Sequence, residues 1–168
     1  KNGILIISNF SFSELEKVKI AHAAQIIPIV FSPNMSVGVN IMYKLLALAA
    51  NLLVGADRSH HPGVATDIAI VDIHHQHKKD APSGTALKMA EVIRNAASDP
   101  SINISSVRLG DIIGEHSALF ALAGERIEIT HKATNRSLYA MGALQAAKWV
   151  VSQEPGLYDM QDVLGLRD

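Results

Sequence analysis

The run from Thr66 to Ala97 constrains the fold more than any other part of the chain. Ile68, Ala69, Ile70, Val71 and Ile73 form an apolar run too short for a helix, which predicts a buried strand over 66–73. A polar cluster follows at once, with His74, His75, His77, Lys78, Lys79 and Asp80 inside seven residues. Pro82 and Gly84 then break the chain, and Leu87, Met89, Ala90 and Ile93 recur as the apolar stripe of a helix over 85–97. A strand that ends in a cationic cluster and turns into a helix N-terminus can bind an anion and move protons.

His74 and Lys78 are four residues apart, an offset that lets them converge in an extended chain or on a helix. A histidine gives or takes a proton near neutral pH, and a lysine beside it adds positive charge or a second acid. Two neighbouring cations disfavour each other's charge until an anion arrives between them. In Ser83-Gly84-Thr85, the first N–H groups of the helix lack internal partners, Gly84 permits close approach, and Thr85 adds a hydroxyl. A carboxylate or phosphate suits such a turn, although a serine before a helix also serves as a plain cap. Metal is a weaker alternative: His75 and His77 share a face of an extended segment, but there is no cysteine and no H-x-x-x-H.

Residues 74–86 read His-His-x-x-Lys-x-Asp-Ala-Pro-Ser-Gly-Thr-Ala. This motif resembles the signature of the dihydrodipicolinate reductases (4-hydroxy-tetrahydrodipicolinate reductases) of the diaminopimelate route to lysine, without a break over thirteen positions. The resemblance implies a cytoplasmic NADH- or NADPH-dependent oxidoreductase acting on a small cyclic dicarboxylate, and a homotetramer. It implies that His74 and Lys78 are the proton donors, that His75 contacts substrate, and that Gly84 and Thr85 hold a carboxylate. It implies no metal.

The rest of the chain extends the likeness. Gly3 to Ile7 is strand-like and reads as a chain entered in mid-fold. Ser13 and Glu16 have the spacing of a capping box, with Leu15, Val18, Ile20 and Ala24 continuing at helical spacing. Ile26 to Phe31 is a second strand, so the front is a parallel βαβ unit. The loop from Ser32 to Asn40 leaves the carboxyl end of that strand, where α/β sheets bind ligands, with Ser36 also fitting an ordinary cap. It resembles the Asn-Phe-Ser-x-Gly-Val-Asn stretch of the same family, implicating Ser32, Pro33, Asn34 and Met35 at the nicotinamide end of the cofactor. Arg136 and Tyr139 occupy positions near that end in the family.

A helix from Ser36 to Val54 is expected to bury Val39, Met42, Leu45, Leu46, Ala49, Leu52 and Leu53. The His60-His61 loop after it is expected to be exposed. Alternation over 102–108, 117–122 and 126–131 predicts three further strands, and Gly114-Glu115-His116 and Arg108-Leu109-Gly110-Asp111 again resemble the reductases. Arg108 either faces substrate, as His116 also can, or forms a structural ion pair.

The fold class expected is α/β: a partial Rossmann-like dinucleotide-binding domain (1–35 and 135–168) and an α+β substrate-binding and oligomerisation domain with a four-stranded mixed sheet (36–134). A net charge of −1 offers no basic footprint for nucleic acid, and no apolar run is expected to reach the length of a membrane span. The Gly-rich turn of the family's nucleotide domain is absent, with no G-x-G-x-x-G anywhere. Ser8 to Phe12 stand where the family has Gly-Thr-Thr-Gly-Phe, and the 97–102 connection is short. An alternative is therefore a cofactor-deficient remnant that keeps the substrate pocket as a binding or scaffold protein.

Overall fold

The computed structural model describes residues 3–8, 12–54, 66–97 and 100–167; the His60-His61 loop and the centre of the 8–12 loop lie outside them. The chain runs through β1 (Leu5–Ile7), α1 (Glu14–Ala23), β2 (Pro28–Phe31), α2 (Val37–Val54) and β3 (Asp67–His74). It continues through α3 (Gly84–Ala96), β4 (Ile102–Arg108), β5 (Gly114–Leu122) and β6 (Glu125–Ala133). It ends in α4 (Ser137–Val150), β7 (Gly156–Tyr158) and α5 (Met160–Val163). Contacts divide it into two compact units, 1–40 with 136–168, and 41–135.

In the first unit β1, β2 and β7 form a parallel sheet in the order β1-β2-β7, so the βαβ unit is present and the C-terminal segment joins it. The predicted capping box starts α1: Ser13 Oγ accepts the Glu16 N–H at 3.3 Å, and the Glu16 carboxylate accepts the Ser13 N–H at 2.8 Å. That helix nevertheless buries none of its residues, with Leu15 66% and Val18 63% exposed. The core lies elsewhere, in Val30, Met35, Ala146, Val150, Met160 and Val163, rimmed by Trp149 and Tyr158. Gly142 of α4 lets this core close, because a Cβ there would fall on the Met35 carbonyl, 2.8 Å from its carbon. Gly142→Ala is expected to destabilise the first unit by about 3 kcal/mol through overpacking. Thermal unfolding checks this, and an unchanged midpoint would count against the close approach.

Ser36 caps α2, its Oγ accepting the Val39 N–H at 3.2 Å. The buried line of α2 is Val39, Met42, Tyr43, Leu46 and Ala50, whereas Leu45 and Leu52, expected in the core, are 46% and 63% exposed. They fall on a separate line with Ile41 and Leu48, and a helix this rich in apolar residues does not reveal by spacing which line is covered. Its 18 residues do reach the length and apolarity of a membrane span, contrary to the expectation that no apolar run is that long. The buried line marks it as a packed helix all the same.

The second unit is built on a mixed sheet in the order β4-β3-β5-β6, with β3 and β4 parallel and the other pairs antiparallel. Register explains how this sheet carries a site. Side chains alternate between faces, so Ile68, Ile70, Asp72 and His74 share the buried face of β3. Two rows across that face are mainly apolar: Ile102-Ile68-Phe120-Ile127 and Ile104-Ile70-Ala118-Ile129. The next turns polar, Ser106-Asp72-His116-His131, and beyond it His74 pairs with Arg108 of β4. Helix α3 packs against β3 and β5, burying Ala86, Met89, Ala90 and Ile93. Leu87, expected on that stripe, is 52% exposed because it sits about 200° around the helix from Met89.

Candidate active site

Asp72 lies at the centre of the polar rows and is fully buried. Its Oδ2 accepts the Ser83 N–H at 3.0 Å, the Ser106 hydroxyl at 3.1 Å and Arg108 Nη2 at 2.9 Å. Its Oδ1 lies 2.8 Å from His74 Nδ1 and 3.5 Å from His116 Nε2. Burial alone would push the Asp72 carboxyl up, but the contacts with His74, Ser83 and Arg108 outweigh it and hold the group well below the usual carboxylate range. His74 itself is 7% exposed and meets His116 edge to face, with ring centroids 5.0 Å apart.

His116 is kept neutral. Burial first, and then the nearby His74, push it down from the ordinary 6.5 to about 4, with Lys78 acting in the same direction. The unfolded chain therefore binds more protons than the folded one between these values, so stability falls as pH falls through that window. The loss amounts to about 3 kcal/mol at most, from about 1.4 kcal/mol per pH unit. The unfolding free energy measured by denaturant should drop between pH 6.5 and 4, and His116→Gln should flatten that slope.

The segment between β3 and α3 is folded back onto the sheet edge. The Leu109 N–H donates to the His74 carbonyl at 2.9 Å, and the Gln76 N–H to the Gly110 carbonyl at 3.1 Å. Arg108 Nη2 also donates to the Asp80 carbonyl at 2.6 Å, which makes it a structural ion pair and a loop anchor. Lys78 Nζ meets Asp80 Oδ1 at 2.8 Å, and this contact holds the Asp80 carboxyl below its ordinary value. His75 is half-buried, its ring centroid 6.4 Å from that of His77. Ser83 is the cap of α3, its Oγ accepting the Ala86 N–H at 3.2 Å while lying 3.2 Å from His116 Nε2. Gly84 is half-buried and Thr85 buried in the first turn.

The other six candidates belong to the first unit. Ser32, Asn34 and Met35 are buried and Pro33 half-buried. The Ser32 hydroxyl donates to the Asn34 carbonyl at 3.0 Å, Asn34 Oδ1 accepts the Ser36 N–H at 2.9 Å, and Met35 is a core side chain. These side chains shape the loop from within, so what they leave for a ligand is Pro33 and backbone. Arg136 is exposed at the start of α4. Burial pushes the nearby Tyr139 phenol up while Arg136 pulls against it.

The structure thus joins His74 to the Ser83-Gly84-Thr85 turn through a residue that sequence reading passed over. Asp72 was lost inside an apolar run, yet a count by twos along Ile68, Ile70, Asp72 and His74 puts it on the histidine's face. Asp72, His74 and His116 also place one donor atom each within 4.8 Å of one another, a different set from the histidines weighed for metal. A divalent ion there would have to share the Asp72 carboxylate with the Arg108 guanidinium.

Comparisons with known proteins place the chain in a family. The chain is 46% identical to the 4-hydroxy-tetrahydrodipicolinate reductase of Syntrophus aciditrophicus (strain SB) over 97% of its own length and 65% of that protein's. Its fold matches the dipicolinate-bound dihydrodipicolinate reductase of Paenisporosarcina sp. TG-14 with a TM-score of 0.74 at 24% identity, covering 95% of this chain and 63% of that one. The chain therefore spans slightly less than two thirds of either relative. The model of the dihydrodipicolinate reductase C-terminus matches residues 38–164, and the chain belongs to that family.

Proposed function

We propose that this chain carries the substrate half of an NAD(P)H-dependent 4-hydroxy-tetrahydrodipicolinate reductase, a cytoplasmic enzyme of lysine biosynthesis. The observation that carries the reading is the polar end of the β3 face: a histidine, a buried carboxylate and the capped first turn of α3 are tied together by direct contacts. His74 donates the proton that quenches negative charge building on the ring, and Lys78 assists by its charge. His75, Gly84 and Thr85 hold the carboxylates of the cyclic substrate at the helix N-terminus. Residues 41–135 are the substrate-binding and oligomerisation unit, and the four-stranded sheet pairs between subunits in a homotetramer.

The first unit fits the nicotinamide end of a dinucleotide in part. Three parallel strands and the 32–36 loop at the carboxyl end of β2 provide a place for it, with Pro33, the loop backbone, Arg136 and Tyr139 as contacts. The chain contains no G-x-G-x-x-G to seat a pyrophosphate. NADH or NADPH, when bound, supplies the hydride.

Oxidation of NADH or NADPH by the protein, followed at 340 nm with freshly generated 4-hydroxy-tetrahydrodipicolinate, tests the reading. Substrate-dependent turnover is expected. A chain that binds a dicarboxylate but neither dinucleotide would instead support the second reading, a remnant retaining only the pocket, which the inward-turned 32–36 side chains favour.

A further inference from the structure

Five groups converge on the Asp72 carboxylate, and the reaction as described gives it no task. We propose that Asp72 is a positioning residue, which holds the His74 ring through Nδ1 so that Nε2 exchanges the proton, and which fixes the carboxylate-binding turn to the same frame through Ser83. The identity of the proton-transfer step rests on the reductase reading; the state of the His74 ring does not.

An ionised Asp72 only accepts hydrogens, so the His74 nitrogen 2.8 Å from Oδ1 is the one that carries a hydrogen. Both atoms are buried, and of the two ring nitrogens near Oδ1 that of His74 is the nearer, with His116 Nε2 at 3.5 Å. Nε2 is then the ring atom left for exchange, and it lies beside Gly114. A Cβ on Gly114 would stand 3.0 Å from Nε2 and 3.3 Å from Cδ2, so the glycine leaves that edge of the ring unobstructed. His116 supports the ring edge-on, and its neutrality keeps a second cation away from this pair.

The other carboxylate oxygen completes the device. Oδ2 accepts the Ser83 N–H, and Ser83 in turn caps α3, so one side chain sets both the donor and the turn eleven residues away. Arg108 and Ser106 hold the same oxygen from β4. A lateral shift of Asp72 would therefore move the proton donor relative to its own strand and loosen the substrate turn together.

The test combines ring spectroscopy with kinetics on Asp72→Asn, which keeps an oxygen for the Ser83 N–H while removing the charge. In protein labelled with ¹⁵N-histidine, with His74 assigned by its loss in His74→Gln, the neutral wild-type ring should carry its hydrogen on Nδ1, with Nε2 gaining the second hydrogen, the one it donates, in the charged ring. Asp72→Asn should move it toward the Nε2–H form and lower kcat on the order of 100-fold with KM changed by less than about threefold. A wild-type neutral His74 with its only hydrogen on Nε2, or an Asp72→Asn variant with wild-type ring signals and kcat, would overturn the proposal. Should Asp72→Asn fail to fold, the wild-type ring spectrum decides, with Gly114→Ala as a second test, since its added Cβ presses first on the Nε2 edge of His74. A kcat loss on the order of tenfold at constant KM supports the proposal, and an unchanged kcat refutes it. If the wild type shows no reductase activity, the functional reading fails, and the ring spectra alone decide whether Asp72 positions His74.

Discussion

Replacing His74 with Gln should lower turnover on the order of 100- to 10,000-fold while leaving dinucleotide affinity near the wild-type value. The reason is chemical. Glutamine fills much the same space and can face Asp72, but it cannot give up a proton at neutral pH, so the variant loses the donor and keeps the pocket. His74 is enclosed by Asp72, His116 and Gly114, all in its own unit, so the change should not reach the strands around Ser32 to Met35. Lys78→Ala should behave differently. Its ammonium pairs with the 57%-exposed side chain of Asp80 at the loop surface, so its removal should weaken substrate binding as well as turnover. Steady-state kinetics with fluorescence titration of NADH separates the two. Equal loss of NADH affinity in the His74 variant would contradict the role given to it.

Arg108→Leu should cost about 3 kcal/mol or more of folding free energy, read by denaturant unfolding at neutral pH. Asp72 has no exposure, and Arg108 supplies its only permanently charged partner among the described residues. Removing the guanidinium strands a buried negative charge. Histidine, serine and backbone contacts solvate such a charge less well than an ion pair does. The same substitution releases the Asp80 carbonyl, so amide exchange in the 75–83 segment should speed up along with the loss of stability. A cost under about 1 kcal/mol would show that His74, Ser83 and Ser106 suffice to hold the carboxylate, and that Arg108 is not structural.

How much of this was legible in the sequence depends on the kind of signal. Three strands of the mixed sheet were readable by alternation and β3 by its short apolar run, since each is a property of the strand by itself, and the capping box at Ser13 was readable because it is local. The covered face of α2 was not, since Leu45 and Leu52 repeat at the same seven-residue spacing as Val39 and Leu46 and only tertiary packing chooses between the lines. The thirteen-residue motif marked His74 and the Ser83-Gly84-Thr85 turn, but the network that joins them draws on β3, β4 and β5. Asp72, Ser106, Arg108 and His116 meet only when register brings their rows together. The motif's polarity also gave the picture of two neighbouring unpaired cations. Folding gives each a carboxylate instead, Asp72 for His74 and Asp80 for Lys78, which no spacing within the motif distinguishes.

Calorimetric titration of the 168-residue chain with dipicolinate, the planar dicarboxylate named with the Paenisporosarcina relative, tests most directly whether the α3 turn and its cationic neighbours form an anion site. The account predicts saturable binding at one site per chain, weakened on the order of tenfold by Lys78→Ala. No saturable binding, or equal affinity in the wild type, Lys78→Ala and His75→Ala, would contradict it.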